Sequence, residues 1–264
     1  MDVHKRKRIR GPLRGAGSML GEILYAAHRP DLPSLENQDP SVEVGAHDAP
    51  SIDIVVLGDS SVTAPGVEPL DAAWPRRVAN HLADRYRVRL RSVAVGGAKV
   101  SDVLRDQLSA ALAAPADIAL VSVGANDALR GTTIAVYERD LDDVVRRLAA
   151  RVSAVGLCGV GDIGTIPRLP TFVRSIGTVR ARAFDRAIAR VAARNPGVLK
   201  STTWGPLWER FDRGDPEIFA ADQFHASGEG HAVFAASIIP VVDRLVASLE
   251  PELSARRERR ESST

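Results

Sequence analysis

Cysteine occurs once in the 264 residues of the chain, as Cys158. An intrachain disulfide is therefore excluded, and a reducing compartment is permitted. Because Cys158 lies at the end of an apolar run, we interpret it as a small buried hydrophobic residue.

Long uninterrupted apolar runs are also missing from the sequence. None reaches the roughly 18 residues that a membrane-spanning helix requires. Near the start, the stretch GAGSMLGEILYAAH is broken by Glu22 and His28, so it is not typical of a signal peptide. We therefore predict a cytoplasmic protein.

The chain carries little excess charge, with a formal net charge of +2. A balance this close to neutral creates no global field, so we predict no nucleic-acid partner. The basic charge is local, because residues 1–14 hold six lysines and arginines against one aspartate. This segment is either a solvated terminus or a weak peripheral contact with an anionic membrane surface.

Motifs for metals and nucleotides are scarce. The sequence has no H-E-x-x-H pair, no Cys/His cluster and no Walker phosphate-binding loop. Residues 159–164 read GVGDIG and fit G-x-G-x-x-G, but Pro167 and Pro170 follow too soon for the helix that a dinucleotide site requires. We interpret 161–174 as a loop beside the functional site, and we predict neither a metal nor a cofactor.

Short apolar runs alternate with helical patterns along most of the chain, which is 45% hydrophobic. The predicted strands are 52–58, 88–95, 117–124, 152–160 and 197–204, and the predicted helices are 72–86, 101–112, 133–150, 175–194 and 228–248. This alternation predicts an α/β fold, a three-layer α/β/α sandwich around a parallel sheet of about five strands. The domain covers 52–248, between a basic arm and irregular lead-in (1–51) and a polar charged tail (249–264).

Polar residues follow the predicted strands at the edge where such sheets bind ligands. Ser60 follows the first strand, Gly97 the second and Asn126 the third, while Asp222 and His225 precede the last helix. A hydroxyl nucleophile needs a base, an orienting group for that base, and donors for the developing oxyanion. Ser60 would attack a carbonyl, His225 would take its proton, and Asp222 would orient the imidazole. The N–H groups of Ser60 and Gly97 and the Asn126 amide would form the oxyanion hole.

Several neighbouring residues have alternative interpretations. Ser61 is a second candidate nucleophile or a supporting hydroxyl, and Asp59 can stiffen the loop by accepting backbone N–H groups. Asp127 and His231 are interpreted as structural. The pocket for the substrate is expected on loops 62–71, 127–132 and 161–174.

Four ordered blocks resemble those of the SGNH (GDSL-type) hydrolase superfamily over roughly residues 52–248. They read GDSS, VAVGGAKVSDVL, VSVGANDAL and DQFH. The resemblance implies a flavodoxin-like three-layer fold and metal-independent hydrolysis of small-molecule esters, thioesters or carbohydrate acyl groups. The second block departs from the family, which often has Asn ahead of its glycine where this chain has SVAV at 92–95. Gly96 therefore stays an alternative to Gly97.

Two further hypotheses remain open at this point. In one, the domain is a non-catalytic flavodoxin-like module that binds an anion or flavin phosphate at the GDSS loop. In the other, the enzyme acts on lipids while residues 1–14 hold it at a membrane.

Overall fold

The computed structural model describes residues 29–261, and the basic segment 1–14 lies outside the described residues. The strands are β1 (Val42–Val44), β2 (Ser51–Gly58), β3 (Arg87–Ser92), β4 (Ile118–Ser122), β5 (Ala154–Leu157) and β6 (Val198–Lys200). The helices are α1 (Ser60–Thr63), α2 (Trp74–Leu82), α3 (Val100–Asp102), α4 (Leu108–Ala111), α5 (Ala125–Leu129), α6 (Ile134–Ala149), α7 (Thr171–Arg194), α8 (Glu209–Asp212) and α9 (Gly228–Glu261). A π-helical turn, Val103–Gln107, joins α3 to α4.

The strands form one mostly parallel sheet in the order β1-β3-β2-β4-β5-β6. The chain moves from β2 to one side to form β3, and then to the other side to form β4. This reversal leaves a crevice beyond the carboxyl ends of β2 and β4, because their connections leave in opposite directions. A ligand site is therefore expected between the segments that follow β2 and β4.

The core has two halves, one on each face of the sheet. Alternate residues of β2 point to opposite faces, with Leu57 in one cluster and Val56 in the other. Helices α6 and α7 cover the first face, and α2 and α9 cover the second. Since both faces are covered, β2 and β4 are almost continuously apolar, as the sequence predicted. The three-layer α/β/α prediction is confirmed.

Two segments differ from the prediction of an irregular lead-in and a polar tail. Residues 42–44 form β1, which pairs antiparallel with β3 and makes the sheet six-stranded in the described residues. A strand of three residues is too short to show periodicity. Helix α9 continues to Glu261 instead of ending near 248, because Leu249 and Leu253 are buried against the second face.

Helix α9 is also the one described helix long and apolar enough to cross a membrane, over Gly228–Pro251. Half of its most apolar window is buried inside the structure. Ile238, Val242 and Leu245 pack in the core on the second face of the sheet. A core helix of an α/β protein passes the same test, and the packing of α9 matches that description.

Candidate active site

Ser60 lies at the start of α1, directly after β2 and at the crevice formed by the strand order. The turn before it is held tightly. Gly58 exchanges two hydrogen bonds of 2.8 Å with the Gln107 side chain, and the Asp59 N–H donates to Ser122 O at 3.1 Å. Gly58 has a φ of +155°, and an added Cβ would lie 2.1 Å from Ser122 O, so this position requires glycine.

The Asp59 carboxylate holds together the loop that carries Ser60. It is 2% exposed, and it accepts hydrogen bonds from Ser61 N–H at 2.9 Å and from Asn126 Nδ2 at 3.3 Å. Burial raises the pKa of Asp59, and these hydrogen bonds oppose that rise. An internal carboxylate thus occupies the start of α1, where the anion-site hypothesis would place a ligand.

Asn126 lies in the first turn of α5, just beyond the carboxyl end of β4. Its side chain is almost fully buried, and one amide hydrogen is directed to Asp59. The carboxylate therefore fixes the orientation of the amide, whose second hydrogen remains available as a donor. A neutral amide avoids the desolvation penalty that a cation would meet in this position.

His225 and Asp222 are joined in a tight turn before α9. Nδ1 of His225 lies 2.6 Å from Asp222 Oδ2, while Asp222 Oδ1 accepts the N–H groups of Phe224 and His225 at 3.0 Å each. Burial raises the pKa of Asp222, but these hydrogen bonds outweigh it and hold the pKa below its ordinary value. Because an ionised carboxylate only accepts, Nδ1 carries the proton and Nε2 is the basic nitrogen.

The two candidate glycines after β3 have different surroundings. Gly97 has a φ of +77°, and its carbonyl accepts a hydrogen bond from Arg130 Nη1 at 3.1 Å. An added Cβ on Gly96 would lie 1.9 Å from Asn37 Oδ1, so packing explains glycine at that position. Gly97 has no such packing demand, and its positive φ sets the direction of the loop. This difference favours Gly97 over Gly96 as a functional residue.

Ser60, Asn126 and His225 line the same cavity, which has a volume of about 150 Å³. No hydrogen bond joins Ser60 Oγ to the His225 ring among residues 29–261. Asp222 does not line the cavity but is hydrogen-bonded to His225, which does. Gly97 is not among the lining residues in the described part of the chain. The structure thus gathers Ser60, His225 and Asn126 from three distant segments of the chain.

An aromatic wall, missed by the sequence analysis, forms much of the cavity. It consists of Trp208, Phe211, Phe219, Phe224 and Phe234. The signal was present in the sequence, because six of the twelve aromatic residues fall between 204 and 234. Loop 161–174 contributes to the wall as predicted, whereas no residue of 62–71 is part of it.

Cys158 packs against the core as predicted, but it is only partly buried. It also lines the cavity, which the sequence did not predict. Burial raises the pKa of its thiol to about 12, so it is neutral. The Ser61 hydroxyl is hydrogen-bonded to the Ser122 hydroxyl at 2.7 Å. This bond favours the interpretation of Ser61 as a supporting hydroxyl.

The chain is similar to known proteins in both sequence and fold. The family model of the GDSL-like lipase/acylhydrolase family matches residues 56–233. A GDSL-like esterase of Mycobacterium tuberculosis is 30% identical over 191 residues, which cover 70% of this chain. The chain spans 59% of the length of that relative.

Solved structures share the fold. The crystal structure of TesA matches with a TM-score of 0.60 at 24% identity, covering 73% of this chain and 99% of that one. The psychrotrophic esterase EstA from Pseudoalteromonas sp. matches with a TM-score of 0.59 at 17% identity, covering 74% and 98%. These likenesses support the flavodoxin-like α/β architecture that the sequence blocks imply.

Proposed function

Because the chain belongs to the GDSL-like lipase/acylhydrolase family, we propose that it hydrolyses carboxylic esters through an acyl-enzyme formed on Ser60. One observation carries this proposal. The ring of His225, oriented by Asp222 at 2.6 Å, lines the cavity that Ser60 also lines. A nucleophile and an oriented base at one cavity are the parts that serine hydrolysis requires.

In the first half-reaction, Ser60 Oγ attacks the ester carbonyl and its proton passes to Nε2 of His225. Asp222 keeps the other ring proton on Nδ1 and stabilises the imidazolium that forms. The imidazolium then protonates the leaving alcohol as the carbon–oxygen bond breaks. In the second half-reaction, water replaces the alcohol and His225 acts as base again, releasing the acid. The Ser60–His225 hydrogen bond closes when substrate binds, as it often does in such enzymes.

The oxyanion of each tetrahedral intermediate needs donors that are already in place. Asn126 supplies one from its amide, because Asp59 holds that amide in a fixed orientation at 3.3 Å. The backbone N–H groups of Ser60 and Gly97 supply the others. Their directions are set by the rigid turn at Gly58 and by the positive φ of Gly97. Fixed donors need no reorganisation as charge develops, which lowers the barrier.

The proposal is tested by replacing the nucleophile and, separately, its neighbour. Ser60→Ala should lose labelling by a fluorophosphonate probe, and kcat on a nitrophenyl ester should fall by about a millionfold. The matched control is Ser61→Ala, which removes a hydroxyl one residue away that is bonded to Ser122. Labelling is measured by mass spectrometry of the modified peptide. Labelling that survives in Ser60→Ala, or disappears only in Ser61→Ala, contradicts the assignment.

A further inference from the structure

His231, in the first turn of α9, is a buried imidazole with a fixed tautomer. It is 1% exposed, and its Nδ1 accepts a hydrogen bond from Trp74 N–H at 3.2 Å. An accepting nitrogen carries no proton, so the ring proton of the neutral imidazole is on Nε2. Burial lowers the pKa of His231 to about 3, so the ring is neutral at physiological pH. His231 therefore presents one N–H donor at Nε2.

This donor has no hydrogen-bond partner among the residues that the structure describes. The ring forms part of the wall of the cavity that contains Ser60 and His225. Nε2 of His231 is not among the sealed polar atoms that lack a partner in the described residues, and the ring lines the cavity, so this nitrogen is open to what the cavity holds. Its acceptor is therefore either water in the cavity or an atom of a bound ligand, and a ligand that displaces the water without offering an acceptor leaves the donor unpaired.

The surroundings of His231 make its donor selective. Phe234 meets the ring edge-on with the ring centroids 5.3 Å apart, and Phe211 and Trp208 stack beyond it. In an apolar wall, a single N–H discriminates strongly between a ligand that offers an acceptor and one that does not. A plain alkyl group would fill the aromatic part of the cavity but leave this donor unpaired.

We propose that His231 is a specificity-determining residue whose Nε2–H binds an oxygen atom in the substrate group held by the aromatic wall. The preferred substrates are esters whose acyl or alkoxy group is mainly apolar and carries a second, hydrogen-bond-accepting oxygen such as an ether, ketone or hydroxyl. This inference rests on the proposed ester hydrolysis. It does not involve His231 in proton transfer, because Trp74 fixes its tautomer and burial keeps it neutral.

The test compares esters that differ only in one atom of the chain. Nitrophenyl hexanoate is measured against analogues in which an ether oxygen replaces one methylene at successive positions, and a matching series varies the alkoxy chain of hexyl acetate. One position should raise kcat/KM by about five- to tenfold in the unmodified protein, the effect of one neutral hydrogen bond. Nitrophenyl acetate, which is too short to reach the wall, serves as the reference substrate.

Two substitutions separate the effect of the Nε2–H donor of His231 from the effect of its hydrogen bond with Trp74 N–H. Asn in His231→Asn can accept from Trp74 N–H near the position of Nδ1 but offers no donor at Nε2, so the preference for the ether should vanish. Gln in His231→Gln reaches the Nε2 position with an amide donor but loses the acceptor, so the preference should persist while the melting temperature falls. Both variants should retain activity on nitrophenyl acetate.

The inference is overturned if the unmodified protein shows no ether preference in either series, or if His231→Asn keeps that preference. It is also overturned if both variants lose it equally, since that result points to a purely structural role. Failure of the catalytic proposal has a different signature, because Ser60→Ala would then retain turnover of nitrophenyl acetate.

Discussion

At the scale of single residues, the behaviour of the two histidines at the cavity depends on which ring nitrogen carries the proton. Asp222 accepts three N–H groups, and this fixes both its charge and the tautomer of His225. His231 has the opposite tautomer, because a backbone N–H occupies its Nδ1. Two histidines six positions apart thus line one cavity in opposite tautomers, with the ring proton on Nδ1 in His225 and on Nε2 in His231.

Asp222→Asn tests the orienting role at His225. The Asn oxygen can still accept the backbone N–H groups of Phe224 and His225, so its amide would donate to Nδ1 of His225. The ring proton would then move to Nε2, which could no longer accept the proton of Ser60. We expect kcat to fall by about ten-thousandfold with a small change in melting temperature. Steady-state kinetics and thermal denaturation measure the two quantities, and a kcat near that of the unmodified protein would contradict the assignment.

The sequence was sufficient to predict that Ser60, Asn126 and His225 lie at one place, because each follows a predicted strand or precedes a predicted helix, and the three line one cavity. It could not show that Asp59 orients Asn126, or that Cys158 reaches the cavity wall. These residues follow different strands, so the distances between them depend on the order of the strands in the sheet and on how the loops pack. The local sequence pattern predicts neither the strand order nor the loop packing.

At the scale of elements, a residue from another helix donates hydrogen bonds to the end of the short helix α5. Arg180 of α7 donates to Ala128 O at 2.5 Å and to Thr132 O at 2.7 Å. These carbonyls lie at and just beyond the end of α5, where a helix leaves acceptors unsatisfied. A planar guanidinium can reach several carbonyls at once, which a lysine ammonium does less well. Arg180 thus positions the segment that carries Asn126.

We expect Arg180→Met to lower kcat about tenfold with a smaller change in KM, because misplaced oxyanion donors weaken transition-state binding more than substrate binding. Arg180→Lys should recover part of the loss. Arg182→Met is the control, since Arg182 lies on the same helix and stacks on Trp204 instead. Equal effects of the two methionine substitutions on kcat would show that Arg180 acts only on general stability.

The elements themselves were predictable where they are long and periodic. Helix α6 occupies Ile134–Ala149 against a prediction of 133–150. Helix α7 begins at Thr171 rather than 175, because Pro170 is its N-cap and accepts the Arg174 N–H at 2.9 Å. The segment between β6 and α9 was not predictable. Its 3₁₀ turns and α8 are short, and the aromatic wall they build depends on contacts with α9.

At the scale of the whole molecule, the lead-in before β2 is connected to the segment that follows Ser60. The Gln38 side chain donates to Ala64 O at 2.7 Å and to Val67 O at 3.1 Å, and its backbone N–H donates to Thr63 O at 2.8 Å. Ala64 ends α1 with a φ of +47°, a strained conformation for a residue other than glycine. A segment that sequence analysis treats as irregular therefore holds the end of the helix that begins at Ser60.

Gln38→Ala should reveal this connection in both stability and activity. The substitution removes two side-chain hydrogen bonds, although Ala64 O still accepts the Val67 N–H at 3.2 Å, so the free energy of unfolding should fall by about 1–3 kcal/mol. Because Ala64 is held in a strained conformation, the loss should also loosen α1 and lower kcat by several-fold. Glu36→Ala is the matched control, since Glu36 is an exposed residue of the same segment. Urea denaturation and ester turnover measure the two effects. A stability loss without any change in kcat would show that the lead-in supports the sheet but does not position the nucleophile.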